Sequence, residues 1–439
     1  MISTRPDPVG KGVMRAKDPV DDGDVVDVLG VGFGPANLAL AIALAESPDR
    51  IGTVRFLERR ERFAWHPGML LPGTSMQISF LKDLVTLRNQ ASPYSFVAYL
   101  GARGRLVDFV NRAVLTPERA EFADYLAWAA ASFADRVRYG RTVTGLSRCP
   151  DGPRFAVRHR GPDGDERVTR ARSVVVARGL RPVLPVWTDG LDPRRVFHNI
   201  DLVPRLGELE RDLPDGVAGA RFLVVGGGQS AAEVALHLHD CGARVDMAFH
   251  GFGLADVDES PFVNQVFDPD VVDEFASAAP EVRETLLHRH GNTNYAAVEH
   301  ALTRELYDRW YRQKVSGPRR LGVHRTSEVV AAGKARDGGV ETVLRRRTTG
   351  ERTAVTVDAV VCATGFEPGG LTGLDGVAPP DATIRVARSH LAVIDGTAVP
   401  GLYVQGADLP GHGLGTTLLS NVAVRAGEIA RALYQEEPS

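Results

Sequence analysis

Three groups of residues in this chain have the types and spacing to do chemistry. Gly30, Gly32 and Gly34 crowd five positions at the end of an apolar run, Val25 to Leu29. Gly226, Gly227 and Gly228 follow Arg221 to Val225 in the same way. Lys82 stands among Phe80, Leu81, Leu84 and Val85. A glycine turn between a buried strand and a helix lets a pyrophosphate approach the backbone and rest on unpaired helix N–H groups. A lysine in apolar surroundings is costly unless an anion meets it. A lysine that snorkels to solvent, or that pairs with Asp83, fits the same residues.

The elements around the turns are legible. From Asn37 on, Leu38, Leu40, Ala41, Ile42 and Leu44 read as a helix that packs on a sheet. Pro35 takes the third position of the GxGxxG pattern, which is therefore off-consensus. Thr53 to Glu58 reads as the next strand, and its terminal carboxylate suits a ribose diol. That acid disfavours a 2′-phosphate, so the first unit is expected to take FAD or NAD. The second turn has the GxGxxA form, with Ser230 and Ala231 opening a helix. Its following strand, Arg244 to Phe249, ends at His250. No carboxylate repels a 2′-phosphate there, and an arginine would be the stronger positive signal. NADPH and NADH both stay open.

Ser173 to Gly179 and Val357 to Pro368 are two further apolar strands that end in glycine turns, the second carrying Thr364 and Gly365. Pro117 to Phe133 predicts an amphipathic helix, and Val137 to His159 predicts strands with a turn at Asp151–Gly152. Asp268 to Tyr311 reads as mostly helical. Asn264, Asn292 and Asn294 either line a polar pocket or cap helices, capping being the simpler reading. Glycines around His412 open a closing helix, again an anion-binding or flavin-contacting geometry.

These patterns predict an α/β chain with two Rossmann-like dinucleotide-binding domains. The FAD-binding domain is discontinuous, 25–215 and 357–439. The NAD(P)H-binding domain is 216–356, with an inserted, mostly helical substrate-binding segment at about 259–315. Residues 1–24 read as a flexible tail without the apolar core of a signal peptide.

Composition narrows the classes. A length of 439 residues predicts two or three domains. A net charge of −3 gives no reason to expect nucleic acid or an anionic membrane as partner. The three cysteines, Cys149, Cys241 and Cys362, form no CxxC, which argues against a dithiol centre and a cysteine zinc site, so no metal is expected. No apolar run reaches membrane-spanning length, and the expected compartment is the cytoplasm.

Two glycine-turn units suit a flavoprotein in which a nicotinamide reduces the flavin and the flavin does the harder chemistry. Disulfide reductases need the missing cysteine pair. Baeyer–Villiger and flavin-containing monooxygenases carry an FxGxxxHxxxW/P-like stretch. Here Phe197 directly precedes His198 in RVFHNIDLVP, which does not match. A third class with the same two-unit plan is the N-hydroxylating monooxygenases.

The chain resembles the microbial N-hydroxylating monooxygenases that act on L-ornithine or L-lysine in siderophore assembly. The resemblance runs from about Val25 to the last helix. It is carried by GFGPANLALA, FAWHPGMLLPGTSMQISFLKDLVTLRNQASPYSF, GGGQSAAE, DESPFVNQVFDPD, NTNY, ATGF and HGLGTTLLS. It implies N-hydroxylation of a terminal side-chain amine, most simply L-ornithine to N5-hydroxyornithine, through a C4a-hydroperoxyflavin. FAD, NADPH (or NADH) and O2 are the implied cofactors and co-substrate, and a hydroxamate siderophore or related product is the implied destination. Gly30, Gly32, Gly34, Pro35, Asn37, Glu58, Trp65, His66, Gln77, Val143, Thr364, Gly365, Thr417, Leu418 and Leu419 would meet FAD. Gly226, Gly227, Gly228, Gln229, Ser230, His250, Asn294 and Tyr295 would meet the nicotinamide cofactor. Lys82, Asn264, Asn294 and Ser420 would hold the substrate. No acid–base catalyst is implied; the flavin does the chemistry, with Gln77 and Asn294 nearby. The family tends toward homo-oligomers, dimers or tetramers.

The chain departs from the family in two places. An arginine usually stands where this chain has His250, and HGxSD reads HGLGT, with Gly415 and Thr416 in place of Ser and Asp. The TLRNQ wording looks more like the ornithine branch than the lysine branch. L-lysine, a diamine or another amino acid is the alternative substrate, and a degenerate, non-catalytic flavin-binding protein is the alternative outside enzymes.

Overall fold

Among the described residues, a nine-stranded mixed sheet with a parallel centre and a five-stranded parallel sheet, each backed by helices, organise the chain. The computed structural model describes residues 25–47, 51–149, 152–293, 297–371, 376–379, 381–406 and 409–435. The expected tail at 1–24, Asn294 and Tyr295 lie outside the described residues.

In the first sheet Val25–Val31 lies between Val54–Leu57 and Glu166–Val176, parallel to both. Thr397–Val404 runs parallel on the far side of Glu166–Val176. Most of Val25–Val31 and the valines that end Glu166–Val176 are buried, because both faces of the sheet are covered there. The helix Pro35–Glu46 covers one face and is buried from Asn37 to Leu44, so it needs no polar stripe. The closing helix Val422–Gln435 packs beside it. Phe96, Phe122 and Tyr125, from Phe96–Ala102 and Arg119–Ala131, extend the same core.

In the second sheet all strands are parallel, in the order Leu321–His324, Arg244–Ala248, Arg221–Val225, Ala359–Cys362, Val196–His198. Two of these strands correct the expected boundaries. Val196–His198 and Ala359–Cys362 were expected within the first unit, yet they flank Arg221–Val225 on one side as its own neighbours. Both are short apolar runs that fit a parallel sheet anywhere, and sequence alone does not say which sheet takes them. The crossings between the sheets come at Leu180–Pro182 and Phe366–Pro368, which pair antiparallel with each other. An antiparallel ribbon, Ser327–Lys334, Val340–Arg346 and Arg352–Val357, follows the strand Leu321–His324. No helix among the described residues is long and apolar enough to cross a membrane.

Candidate active site

The first glycine turn is shaped from behind by its own sheet. Gly32 has φ +85, and a Cβ there would stand 2.5 Å from the carbonyl oxygen of Ala177. Asn37 ties the turn down by donating from Nδ2 to the carbonyl of Gly32 at 2.7 Å, and Gln405 Nε2 donates to Asn37 Oδ1 at 3.1 Å. Asn37 is therefore a brace within the protein, not an open donor. Gly34 differs. It caps the helix Pro35–Glu46 with no side-chain hydrogen bond, and a Cβ there would meet no protein atom within 4 Å. Packing does not demand glycine at 34, whereas an occupant lying against the helix N–H groups does. A pyrophosphate fits that cradle.

Glu58 follows the strand Val54–Leu57, is buried, and accepts from Phe33 N at 2.7 Å and Arg60 N at 2.9 Å. It thus closes on the same turn it was expected to serve. Trp65 and His66 lie on the next loop, Trp65 edge-on to Phe122 with ring centroids 6.0 Å apart. His66 sits at φ 42. Burial, with Arg119 and Arg60 nearby, holds its pKa down to about 4, so it is neutral at pH 7. Val143, on Thr142–Arg148, packs as a partly buried side chain against the core cluster containing Val26 and Val157, and Gln77 is exposed.

The long irregular stretch after Phe63 is held by two carboxylates. Asp83 accepts from the backbone of Val85, Thr86 and Phe96 and from Thr86 Oγ1, all at 2.7–2.9 Å. Burial pushes its pKa up against those hydrogen bonds. Glu46 accepts from Arg88 Nη2 at 2.6 Å, from Asn89 Nδ2 at 3.1 Å and from Ser92 Oγ. Lys82 sits at the head of this clamp. It is half-buried, which corrects the expectation of a buried ammonium: Leu81 turns outward, and the apolar neighbours Leu84 and Val85 point into the core. Asp83 is fully engaged elsewhere, and no ion pair joins Lys82 to a carboxylate among the described residues.

The second glycine turn repeats the first. Gly226 has φ +140, and a Cβ there would collide with the carbonyl of Ala363. Gly228 caps Gln229–Asp240 without a side-chain hydrogen bond, leaving helix N–H groups for an anion. Gln229 is committed to the protein, donating to Glu233 Oε1 at 2.9 Å and accepting from Glu299 N at 2.9 Å. Ser230 is half-buried in the first turn of that helix, and His250 is exposed just beyond Arg244–Ala248.

One contact that sequence reading missed joins the two units. Arg119, at the start of Arg119–Ala131, makes a two-pronged pair with Glu233, both N···O distances being 2.8 Å. Arg119 also donates to the carbonyl of Met69 at 3.2 Å. Glu233 lies in the apolar run AAEVALHL and is 5% exposed. A carboxylate there needs a cation, and that was the available signal.

The closing segment lies beside the candidate substrate segment. Gln265–Phe267 packs against Leu414–Thr417, and Phe275 stands 3.4 Å from where a Cβ of Gly413 would be. Ser420 is 2% exposed, while Thr417, Leu418 and Leu419 are half-buried. Asn264 is also half-buried and donates to the carbonyl of Glu259 at 3.0 Å, not to a helix start. Thr364 Oγ1 donates to the carbonyl of Val183 at 2.6 Å, and Gly365 O lies 2.9 Å from His198 Nε2. Thr364 and Gly365 thus brace the crossing between the sheets. Arg425 is buried, donates to the carbonyl of Thr416 at 2.7 Å, and is held by burial down to about 10. Its neighbour Glu428 is brought down to about 2 by His390 and Arg388, against burial.

Comparison with known proteins agrees with this geometry. The family model described as L-lysine 6-monooxygenase/L-ornithine 5-monooxygenase matches residues 24–368. An L-ornithine N(5)-monooxygenase of Pseudomonas aeruginosa is 39% identical over 421 residues, covering 94% of each chain. One from Burkholderia cepacia is 40% identical over 403 residues, covering 89% of this chain and 90% of its own. Among solved structures, an ornithine N-hydroxylase from Kutzneria sp. 744, described with reduced FAD, NADP+ and L-ornithine, superimposes with a TM-score of 0.86 at 38% identity, covering 94% of this chain and 99% of its own. With two glycine-turn units in the expected order and a family model that spans most of its length, this chain belongs to the L-lysine 6-monooxygenase/L-ornithine 5-monooxygenase family.

Proposed function

We propose that this protein is an FAD-dependent monooxygenase that uses NADPH and O2 to hydroxylate the N5 amine of L-ornithine. The observation that carries the reading is similarity at 39–40% identity to two L-ornithine N5-monooxygenases over about nine-tenths of the chain. The first glycine unit takes FAD and the second NADPH. When bound, the flavin supplies the redox step that passes one oxygen atom of O2 to the amine.

The chain's own residues supply position. Lys82, which forms no ion pair among the described residues and whose following stretch is held by Asp83 and Glu46, pairs with the substrate α-carboxylate. Asn264 meets the α-amino end and Ser420 stands beside the reacting amine; Asn294, the other residue that the resemblance assigns to the substrate, lies outside the described residues. Anchoring the head of the amino acid sets how far its terminal nitrogen reaches. One methylene in such a pocket is typically worth about 1–3 kcal/mol. The buried Gly413–Thr416 segment, backed by Phe275, keeps water from the reacting end. Gly415 and Thr416 favour one second reading, a different amine of similar length, because they replace the family's Ser and Asp at the closing motif.

The test supplies the FAD-loaded protein with NADPH, O2 and either L-ornithine, L-lysine or cadaverine, and quantifies hydroxylamine and free peroxide. Hydroxylamine highest with L-ornithine supports the reading. Peroxide alone with L-ornithine, beside efficient hydroxylation of another amine, overturns the substrate. A protein that takes up no FAD overturns the reaction.

A further inference from the structure

The strand that should read the adenosine sugar ends without an arginine, and the structure supplies two from elsewhere. Arg244–Ala248 runs parallel to Leu321–His324, with Met247 opposite Val323 and Ala248 opposite His324. The two strands end together, so His250 and Arg325 emerge at the same edge of the sheet. In open parallel sheets this carboxyl edge is where ligands bind.

Backbone hydrogen bonds lace three stretches together there. Phe249 N donates to His324 O at 3.3 Å, Ser327 N to Phe249 O at 2.8 Å and Thr326 N to Gly251 O at 2.8 Å. Arg347 N donates to Thr326 O at 2.7 Å. Thr326 is at φ 51 and 5% exposed, a left-handed conformation that a β-branched residue adopts only when its surroundings enforce it. Arg325 and Arg347 are therefore fixed in register with the loop that carries His250.

The local field is positive. His250, Arg325 and Arg347 are all exposed, and none forms an ion pair among the described residues. The nearby carboxylate, Glu328, is taken by Arg345, whose Nε lies 3.0 Å from Oε1. Arg345, with smaller contributions from Arg347 and His250, holds its pKa below the usual carboxylate range. Guanidinium groups clasp phosphate oxygens in pairs, which imidazole does not.

We propose that Arg325 and Arg347, one from the strand end and one from the antiparallel ribbon, build the subsite for the adenosine 2′-phosphate. The chain thereby selects NADPH with no arginine at position 250. This rests on the reading that the second glycine unit binds a nicotinamide cofactor.

The test is calorimetric titration of the FAD-loaded protein with 2′,5′-ADP and with ADP, for the wild type, Arg325→Ala, Arg347→Ala, the double variant and Arg325→Lys. Wild type should bind 2′,5′-ADP at least tenfold more tightly than ADP, with the preference falling as salt rises. Each alanine variant should lose several-fold of that preference, the double variant all of it, and Arg325→Lys should keep part. ADP affinity should change less than twofold throughout. A preference that survives in the double variant overturns the arginine assignment alone. A wild type that binds neither compound, and whose flavin neither NADPH nor NADH reduces, overturns it together with the reading beneath it.

Discussion

At Gly32 a side chain would press on Ala177 O, and at Gly226 on Ala363 O. In both units the turn backs onto the residue that follows a neighbouring strand, and in both a glycine caps the next helix without a side-chain bond. The difference begins at the next strand. In the first unit Glu58 is buried and bonded to the turn through Phe33 N. In the second His250 is exposed, near two arginines, Arg325 and Arg347, that form no ion pair among the described residues. The cradle is thus shared, because any pyrophosphate makes the same demand on backbone N–H groups. Choice between dinucleotides is left to one strand end, where an acid accepts from a ribose diol and a cation receives a phosphate.

The hardest way to break the comparison is to fill the cradle. Gly34→Val adds atoms to space that no protein atom occupies. The fold should survive, whereas FAD affinity should fall by about 100-fold or more, since the added branch stands where phosphate meets the helix N-terminus. Flavin content after purification, with circular dichroism as the fold control, reads this. Undiminished flavin content would remove the pyrophosphate from that position.

A transplant sharpens the same contrast. His250→Glu gives the second unit the carboxylate that ends the first. It should lower kcat/KM for NADPH about tenfold or more while sparing NADH, through like-charge repulsion of the 2′-phosphate. An unchanged NADPH to NADH ratio would place position 250 away from the phosphate.

The smallest effect concerns His66, on the loop after the first unit's acid. Its folded pKa of about 4 lies below the ordinary 6.5. Its contribution to stability is therefore full above about pH 6.5 and is lost as pH falls through about 4. His66→Asn, which tolerates the same left-handed backbone, should lose less thermal stability than wild type between pH 7 and pH 5, by about 1 kcal/mol. Parallel pH profiles of Tm would exclude a histidine held neutral there.

Much of this was legible in the sequence for a physical reason. Buried parallel strands, glycine turns and a helix apolar on all sides leave strong local patterns, and Val25 to Leu44 carries all three. The clamp around Lys82 was legible only as an improbable run of letters. Its glue, Asp83 and Glu46, works through hydrogen bonds to residues up to 46 positions away, as from Ser92 to Glu46. The assignment of Val196–His198 and Ala359–Cys362 to the second sheet was not legible, because strand partnership is a tertiary choice that a short apolar run does not encode. The Arg119–Glu233 pair had a signal, a lone acid in an apolar helix, but nothing in the order of residues named its partner.

The central claim is that a fixed lysine grips the head of the substrate so that its tail is held at the flavin. The direct measurement compares L-ornithine with putrescine, the same diamine without the carboxylate, in wild type and in Lys82→Ala. Wild type should favour L-ornithine in KM by about tenfold or more, as a charge-assisted pair is worth about 1.5–3 kcal/mol. Lys82→Ala should erase that preference while holding its flavin. A preference for L-ornithine that persists without the lysine would contradict the account.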